Sequence, residues 1–305
     1  MSASNPATLP IHPPHKAFSP ARILAIGANT LLELVRLKVF YFLLIFGLVL
    51  IGSSIFMINF SFQEQFQMLK DISLGAMSIF TWLLAVLATA MLLPKDIEDR
   101  TLYTILAKPV PRFEYLIGKL LGVLALVLIS TLVMAGLFAV VLYARQEIVI
   151  AESLAQAGRE ATPEQVQEIV RGIKASTFTW SLVPAIIAVY LKAALCASLT
   201  LLISTFASSW IFTIVTSVAV YFIGNIQSIA RDYWLAENGG TALTKVFLAL
   251  VSLLFPDLQL FNLVDDIVAG NAIATGIFLK TAGLGCVYVV VYLFLAYFVF
   301  AKKEL

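Results

Sequence analysis

The sequence predicts an all-α integral membrane protein with six transmembrane helices. Of its 305 residues, 61% are hydrophobic, and the mean hydropathy of +0.96 is far above that of a soluble domain. Six apolar runs reach the roughly 20 residues that a helix needs to cross a bilayer core about 30 Å thick. These predicted spans lie at about 39–58, 74–93, 118–143, 182–206, 209–229 and 281–300.

The spans predict one transmembrane domain, residues 20–305, behind a flexible cytosolic tail, residues 1–19. The tail is rich in Pro and lacks the charged start and short apolar stretch of a secretory signal, so we expect it to stay uncleaved. The two cysteines, Cys196 and Cys286, fall inside apolar runs and suggest neither a disulfide framework nor a metal site.

Charge in the loops predicts the orientation of the domain. Lys and Arg gather before the first span, around the 94–117 loop and at the C-terminus, whereas acidic residues dominate the loops at 144–181 and 257–266. Lys and Arg resist translocation. Both termini and the 94–117 loop are therefore predicted to be cytoplasmic, and 144–181 is predicted to be an outer loop.

An amphipathic helix is predicted at 20–37, directly before the first span. Ser19 can cap it, and Pro20 suits a first helical position. Its polar face carries Asn29 and the charged residues Arg22, Glu33 and Arg36, with Lys38 leading into the span. Such a helix should lie along the inner membrane surface. A second interpretation is that it simply extends the first span.

Two further segments outside the spans carry helix signals. Thr162-Pro163-Glu164-Gln165 is a capping box that predicts a short amphipathic helix in the outer loop, resting on the membrane or on a neighbouring chain. The apolar run at 246–255 is half the length of a span and ends at Pro256. It therefore predicts a re-entrant region at 244–270.

The 94–117 stretch predicts a short cytoplasmic helix at 97–108. Asp96 can cap it, Glu98 and Asp99 suit the positive end of its dipole, and Pro109 ends it. One side is apolar, with Leu102, Ile105 and Leu106 at i, i+3, i+4 spacing. The simpler interpretation is a solvated turn that obeys the positive-inside rule. The cap, the stop and the apolar side exceed what a turn requires and favour a surface on which a cytosolic partner docks.

The chemistry of the spans excludes several classes of protein. The only histidines are His12 and His15 in the tail, so we expect no catalytic constellation and no metal site. The predicted spans contain no Asp or Glu, which ion-driven transporters use to bind the driving ion. The chain also has no phosphate-binding loop. Energy for uphill transport would therefore come from another chain.

Lys192 is the one basic residue deep in a predicted span. Insertion of a lysine there costs about 2.5–3.5 kcal/mol, so the side chain should face a cavity, a carbonyl or a partner chain. One interpretation is snorkelling or pairing with the backbone of a partner chain. The other is contact with a lipid headgroup or with cargo on a translocation path.

Several segments resemble the ABC-2 type permeases, including the subgroup described as permeases for multicopper-enzyme maturation. The most specific is EDRTLYTILAKPVPRFEYLIGK after the second span. Others are NTLLELVRLKVFYFLL before the first span, SLTLLISTFASSWIFTIVTSVAVYFIGN around the fourth and fifth, and FPDLQLFNLVDDIVAG before the last. The resemblance covers about residues 22–303. The long 144–181 loop departs from a simple connection, which weakens any transfer of substrate.

The resemblance implies a six-span half-transporter in the bacterial cytoplasmic (inner) membrane. It would pair with a second permease copy, in a homodimer or heterodimer, and with two ATP-binding cassette subunits that carry ATP and Mg; this chain would bind no cofactor and no nucleic acid. Its elbow helix would carry Arg22, Glu33, Arg36 and Lys38. Its coupling positions would be Asp96, Ile97, Glu98, Asp99, Arg100, Thr101, Leu102, Ile105, Leu106, Lys108, Pro109 and Arg112.

The function that follows is that of a non-catalytic permease subunit. ATP-driven closure of the partner subunits would move the coupling helices and switch the spans between two packings. Apolar walls between paired permeases favour a hydrophobic or lipid-linked cargo, or a mechanical signal passed outward. The resemblance implies export as the direction, and an outer-side accessory protein would be a further partner. The alternative is a passive channel or membrane scaffold, which would leave the charged 94–117 stretch without a purpose.

Overall fold

The computed structural model describes residues 18–54, 62–98, 111–157, 162–207, 209–238, 243, 246, 255–263 and 274–302. Regular structure in these ranges is entirely helical, which confirms the predicted all-α class. The elements are α1 (Pro20–Val35), α2 (Lys38–Ser53), α3 (Phe62–Glu98), α4 (Arg112–Ala157), α5 (Pro163–Thr177), α6 (Leu182–Phe206), α7 (Trp210–Asn238), a 3₁₀ turn (Leu258–Phe261) and α8 (Thr275–Lys302).

Long apolar helices confirm that the chain is a multi-span membrane protein. Within the described ranges, five helical stretches are long and apolar enough to cross a membrane, and the bent pair α1 and α2 brings the number to as many as six. The stretches are Glu64–Asp96, Arg112–Gln156, Pro163–Phe206, Trp210–Gln227 and Thr275–Lys302. We call the end of the bundle where α3 and α8 finish the basic end, and the opposite end the acidic end.

The first two helices meet at a sharp bend. The axes of α1 and α2 differ by 69° across Arg36 and Leu37. Helix α1 is thus not a straight extension of the first span. Its buried residues recur every three or four positions, as expected for a helix lying on a neighbour; they are Ile23, Gly27, Thr30 and Leu34.

Helices α3 and α4 are much longer than the spans predicted within them. They contain 37 and 46 residues, or about 56 and 69 Å at 1.5 Å per residue. Helix therefore continues into both of the predicted loops, 94–117 and 144–181. Residues 94–98 continue α3 through Pro94, 112–117 open α4, and α4 continues to Ala157. A hydropathy profile detects only the apolar part of a helix. Charged and polar residues that favour helix, such as those at 144–157, extend the helix beyond the bilayer.

The capping box predicted at the acidic end is confirmed. The Thr162 hydroxyl accepts from the Gln165 N–H at 3.4 Å, and the Thr162 N–H donates to the Gln165 carboxamide at 3.0 Å. Helix α5 buries Ile173. At its C-terminal end, the Lys70 ammonium of α3 donates to the Ser176 carbonyl at 2.7 Å. The helix thus docks on the extended parts of its own chain.

Helix α6 is the centre of the bundle and packs chiefly against α3 and α8. Every residue from 192 to 201 is buried, whereas α8 leaves most of its apolar side chains exposed. An exposed apolar surface on a spanning helix suits lipid or another membrane chain.

The 3₁₀ turn Leu258–Phe261 lies between two spans. A Cβ on Gly224 of α7 would come within 2.8 Å of the Pro256 carbonyl, and one on Gly285 of α8 within 2.9 Å of the Phe261 ring. Gly285 is about 15 Å along α8 from Thr275, at 1.5 Å per residue. The turn thus sits well inside the bundle although α7 ends and α8 begins at the acidic end. Of the predicted re-entrant region 244–270, the structure describes residues 246 and 255–263, and the rest lies outside the described residues.

Glycines allow α1 to lie close against the first turns of α4. A Cβ on Gly118 would come within 2.7 Å of the Ile26 side chain. One on Gly122 would come within 2.6 Å of the Thr30 Cβ and 2.8 Å of the Gly27 carbonyl. The small-xxx-small spacing of Gly118 and Gly122 therefore allows the backbone of α1 to approach that of α4 closely. Larger side chains at these positions would push the two helices apart.

We expect Gly122→Ala to destabilise the protein by about 1–3 kcal/mol, because the added methyl group overpacks a contact formed partly by backbone. The measurement is the fraction of monodisperse protein that survives heating in detergent. Gly136→Ala in the same helix is the matched control, since a Cβ there meets no atom within 4 Å. Equal midpoints for the two variants would contradict the close α1–α4 contact.

Candidate functional site

The predicted coupling positions fall only partly within the described residues. Asp96 lies in α3 and Arg112 opens α4, while Ile97 and Glu98 are described only as the last residues of α3. The others lie outside the described residues: Asp99, Arg100, Thr101, Leu102, Ile105, Leu106, Lys108 and Pro109. The site that can be built is therefore the set of side chains that holds the two ends of segment 99–110.

Asp96 is part of α3 rather than the cap of a separate helix, which corrects the prediction. Its carboxylate accepts a hydrogen bond from the Tyr115 hydroxyl and lies 2.7 Å from the Lys119 ammonium. Tyr115 and Lys119 are one turn apart on α4, so both can reach the same carboxylate. These contacts tie the last turn of α3 to the start of α4 and favour helix through Pro94.

Glu33 of α1 joins the same cluster. Its carboxylate lies 3.0 Å from the Lys95 ammonium and 3.7 Å from the Lys119 ammonium. Two carboxylates thus face two ammonium groups from three helices, and their formal charges cancel. We call Glu33, Lys95, Asp96, Tyr115 and Lys119 the charge cluster.

Burial makes the members of the charge cluster unequal. The Lys119 side chain is 5% exposed and that of Asp96 10%, whereas that of Lys95 is 43% exposed. An exposed ion pair contributes little, about 0–1 kcal/mol. Removing one partner of a buried pair leaves an uncompensated charge, which costs about 3–5 kcal/mol. Lys119 is therefore the residue on which the cluster depends.

A second ion pair anchors the start of α1. The Arg22 guanidinium makes a two-pronged contact with the buried Glu114 carboxylate, at 2.7 and 2.9 Å, and the Ser19 N–H donates to Glu114 at 2.8 Å. The side-chain hydrogen bond raises the pKa of Arg22 above its ordinary value. Since that value is already far above neutrality, Arg22 stays charged at physiological pH.

Arg112 connects α4 to the last helix. Its guanidinium donates to the carbonyl groups of Phe300 and Ala301, both at 2.9 Å, and lies 5.7 Å from the centre of the Phe300 ring. A cation at the end of a helix interacts favourably with its terminal carbonyl groups. Arg112, at the start of α4 just after segment 99–110, thereby binds the basic end of α8.

The remaining predicted elbow residues lie at the bend. Arg36 follows α1, with its backbone N–H bonded to the Glu33 carbonyl at 3.2 Å, and Lys38 begins α2; both are exposed. The four residues predicted for the elbow helix thus fall into two groups in the structure. Arg22 and Glu33 bind α4 or its neighbours, whereas Arg36 and Lys38 lie on the surface.

Sequence reasoning did not single out Glu114, Tyr115 or the pairing role of Lys119. The spacing of Tyr115 and Lys119 places a hydroxyl and an ammonium on one helix face. Asp96 precedes these two residues by fewer than 25 positions in the sequence. The spacing of Tyr115 and Lys119, together with that nearby carboxylate, is the signal that could have indicated the charge cluster.

Lys192 lies in a separate polar site inside the bundle. It is 6% exposed. Its ammonium group donates to the Asn225 carboxamide of α7 at 3.3 Å and lies 5.3 Å from the centre of the Tyr221 ring.

No metal centre can be built from the described ranges, where no group of three or more His, Cys, Asp or Glu side chains could hold an ion. His12 and His15 lie outside those ranges. The charge cluster is an assembly of paired charges, suited to holding helices in position.

Comparison with known proteins identifies a family for most of the chain. The family model described as ABC-2 family transporter protein matches residues 37–305. The matched region begins just after α1. No curated protein matches the chain.

We expect Lys119→Met to lower the free energy of unfolding by about 3–5 kcal/mol, because it leaves the buried Asp96 without its ammonium partner. Lys95→Met, which removes the exposed cation of the same cluster, should cost about 0–1 kcal/mol. Thermal denaturation of both purified variants in one detergent measures the difference. A Lys119→Met midpoint no lower than that of Lys95→Met would show that the cluster does not hold the helices.

Proposed function

The chain belongs to the ABC-2 family of transporter proteins, and on that premise we propose that it couples ATP hydrolysis by a separate subunit to export of a hydrophobic or lipid-linked cargo. Membership makes it a membrane permease subunit of an ABC transporter. The subgroup of multicopper-enzyme-maturation permeases stays a prediction.

The observation that carries the proposal is the way both ends of segment 99–110 are held. Asp96, just before the segment, binds α4 through Tyr115 and Lys119. Arg112, just after it, binds the end of α8. A push on the segment would therefore be delivered to several helices, because buried charge pairs resist separation.

In the proposed mechanism, segment 97–108 docks in a groove of an ATP-binding cassette subunit. ATP and Mg bind that partner, and closure of two such partners moves the segment on each permease. The charge cluster passes the displacement to α1, α3 and α4, and Arg112 passes it to α8. Each permease then switches between two discrete packings, since packed interfaces are bistable.

The rest of the assembly follows from the same proposal. A second permease copy would complete the pathway. The basic end would face the cytoplasm across a bacterial inner membrane, with both termini on that side. The extended parts of α4 and α5 at the acidic end would meet an outer-side accessory protein. Apolar exposed surfaces on the spans favour an amphiphilic or apolar cargo over a hydrophilic one.

We expect an ATP-binding cassette ATPase to copurify with the tagged protein in mild detergent, and Glu98→Arg plus Leu102→Asp to release it. The changes reverse one charge and place another on the predicted apolar side of the segment. Immunoblotting and ATPase activity of the eluate measure the complex.

The matched control for that experiment is Glu164→Arg plus Ala175→Asp on α5. It makes the same kinds of change at exposed positions of the acidic end, and it should leave the complex intact. Absence of an ATPase under several detergents, with conductance from the purified chain alone, would favour the passive channel or scaffold.

We expect Glu168→Cys to react with a membrane-impermeant maleimide in intact spheroplasts, and Arg36→Cys to react only after permeabilisation. Both positions are exposed, on α5 at the acidic end and beside α1 at the basic end. The parent protein is the control, because Cys196 and Cys286 lie in spanning helices. Labelling of Arg36→Cys in intact spheroplasts would reverse the proposed orientation.

A further inference from the structure

The exposed surface of α3 to α6 changes from apolar to charged at one level near the acidic end. Towards the middle of the bundle, large apolar side chains are exposed on three helices: Ile79 of α3, Val140 of α4 and Val183 of α6. Towards the acidic end, most exposed side chains carry charges or carboxamides, among them Glu64, Asp71, Glu147, Glu152, Glu164 and Glu168. On α3, α4 and α5 beyond this level, Ile148 is the only large apolar side chain that the structure describes as exposed. We call the level of the change the boundary.

Contacts between helices place the boundary at matching positions on α3, α4 and α5. The buried Arg145 of α4 donates to the Gln65 carboxamide of α3 at 2.9 Å. Lys70 of α3 donates to the Ser176 carbonyl, in the last turn of α5, at 2.7 Å. Measured along the antiparallel helices from the Arg145–Gln65 contact, Tyr143 lies about 3 Å and Lys70 about 8 Å towards the basic end. Tyr143, Lys70 and the end of α5 are therefore at similar depth.

Three exposed aromatic side chains lie at the boundary. Tyr143 is on α4, Phe178 follows α5, and Trp180, which is 91% exposed, lies between α5 and α6. Surrounded by water, the Trp180 ring would leave a large apolar area unburied. Tyr and Trp collect at the surface of a bilayer, because the apolar ring contacts lipid while the polar group keeps its contact with water.

The length of α6 matches the thickness of a bilayer. Trp180 and Trp210 lie just beyond the two ends of α6, and both are exposed. The 25 residues of α6 extend about 37 Å at 1.5 Å per residue. A hydrocarbon core is about 30 Å thick, and the bilayer with its headgroups is about 40–45 Å thick. Each of the two rings therefore falls in a headgroup layer.

Two cations lie just beyond the aromatic side chains. Lys174 and Arg171 of α5 precede Phe178 by four and seven residues, a spacing that places them on one helix face with it. Both are exposed, and neither forms an ion pair within the described part of the chain. Cations one and two turns beyond the rings would reach the anionic phosphate groups outside the hydrocarbon core. Glu168 and Glu164 are on the same face, farther from the boundary.

Helix α5 points away from the bilayer. Helices α5 and α6 form one stretch, Pro163–Phe206, without the sharp bend that separates α1 from α2. The 15 residues of α5 extend about 22 Å, and α4 continues about 21 Å from Tyr143 to Ala157. The apolar Ile173 of α5 is buried in the core of the same chain. The apolar side of α5 is thus already covered, and the helix does not need to lie on lipid.

We propose that Tyr143, Phe178 and Trp180 bind the phospholipid headgroup layer at the acidic end, with Arg171 and Lys174 on its phosphate groups. Helix α5 and the end of α4 then project about 20 Å beyond the lipid. A protein partner on that side would contact the projecting helices without entering the bilayer. The inference goes beyond the proposed function, since it depends neither on an ATPase partner nor on the side that the acidic end faces.

The depth of Trp180 in a bilayer tests the proposal. A full-length variant with Trp82→Phe, Trp210→Phe and Trp234→Phe keeps Trp180 as its single tryptophan. The purified variant is reconstituted in phosphatidylcholine vesicles that carry bromine near the headgroup, at mid-chain or near the chain end. We expect the shallow bromines to quench most of the emission and the deepest ones to quench little, because the ring should lie about 15 Å from the bilayer centre.

The matched control moves the tryptophan along α5. It adds Trp180→Phe and Glu168→Trp to the same three changes. Glu168 is exposed and lies about 15 Å beyond Phe178 along the helix. We expect iodide on both sides of the vesicles to quench this variant and brominated lipid to leave its emission unchanged. If the single-tryptophan variants are not monodisperse, the difference in emission between the parent protein and Trp180→Phe measures the same side chain.

Three outcomes would overturn the proposal. Quenching of Trp180 by iodide but by none of the brominated lipids would place this surface in water. Protection of Trp180 from both quenchers would show that another protein chain, such as a second copy, covers it. Quenching of the Glu168→Trp variant by brominated lipid would show that α5 lies along the bilayer surface and does not project from it.

Discussion

The buried contact between Lys119 and Asp96 is the constraint on which the basic end of the bundle depends. Two charges withdrawn from water are tolerated only where each keeps its partner, so the last turn of α3 and the second turn of α4 must stay together. Glu33 extends the constraint to α1, which lies close enough to reach Lys119 because Gly118 and Gly122 have no side chains. Segment 99–110 therefore emerges from a platform of three helices whose relative position is set by electrostatics as well as by packing.

Polar groups are concentrated in three regions of an otherwise apolar bundle. At the acidic end, Lys70 binds the end of α5, and Arg145 donates to the Gln65 carboxamide at 2.9 Å. Inside the bundle, the Lys192 ammonium of α6 donates to the Asn225 carboxamide of α7. Along most of the remaining helix surface, packing between spans relies on van der Waals contact and small residues, because lipid competes for apolar surface. The arrangement joins elements by ion pairs and hydrogen bonds at the two ends of the bundle.

The sequence predicted the elements that carry local signals such as helix caps. Ser19-Pro20 indicated α1, and the Thr162 capping box indicated α5. The helices α3 and α4 continue past the predicted loop limits, because hydropathy marks where a helix enters lipid and not where its hydrogen-bonded backbone ends. Pro94 directly follows the predicted second span. It lies inside α3, whose next turn is held by Asp96. The charge cluster joins positions 33, 95, 96, 115 and 119, of which only the i, i+4 spacing of Tyr115 and Lys119 is a local signal.

Composition and spacing alone determined that the chain is helical and that it lies in a membrane, since those properties depend on residue type and periodicity. The tertiary structure decided which charges meet. Lys119 counts in the sequence as one more basic residue beside a span, and Lys192 as an isolated charge within one. Their roles arise only when antiparallel helices bring distant residues to the same level, because a hydrogen bond or an ion pair requires a few ångströms of separation in space and is indifferent to separation along the chain.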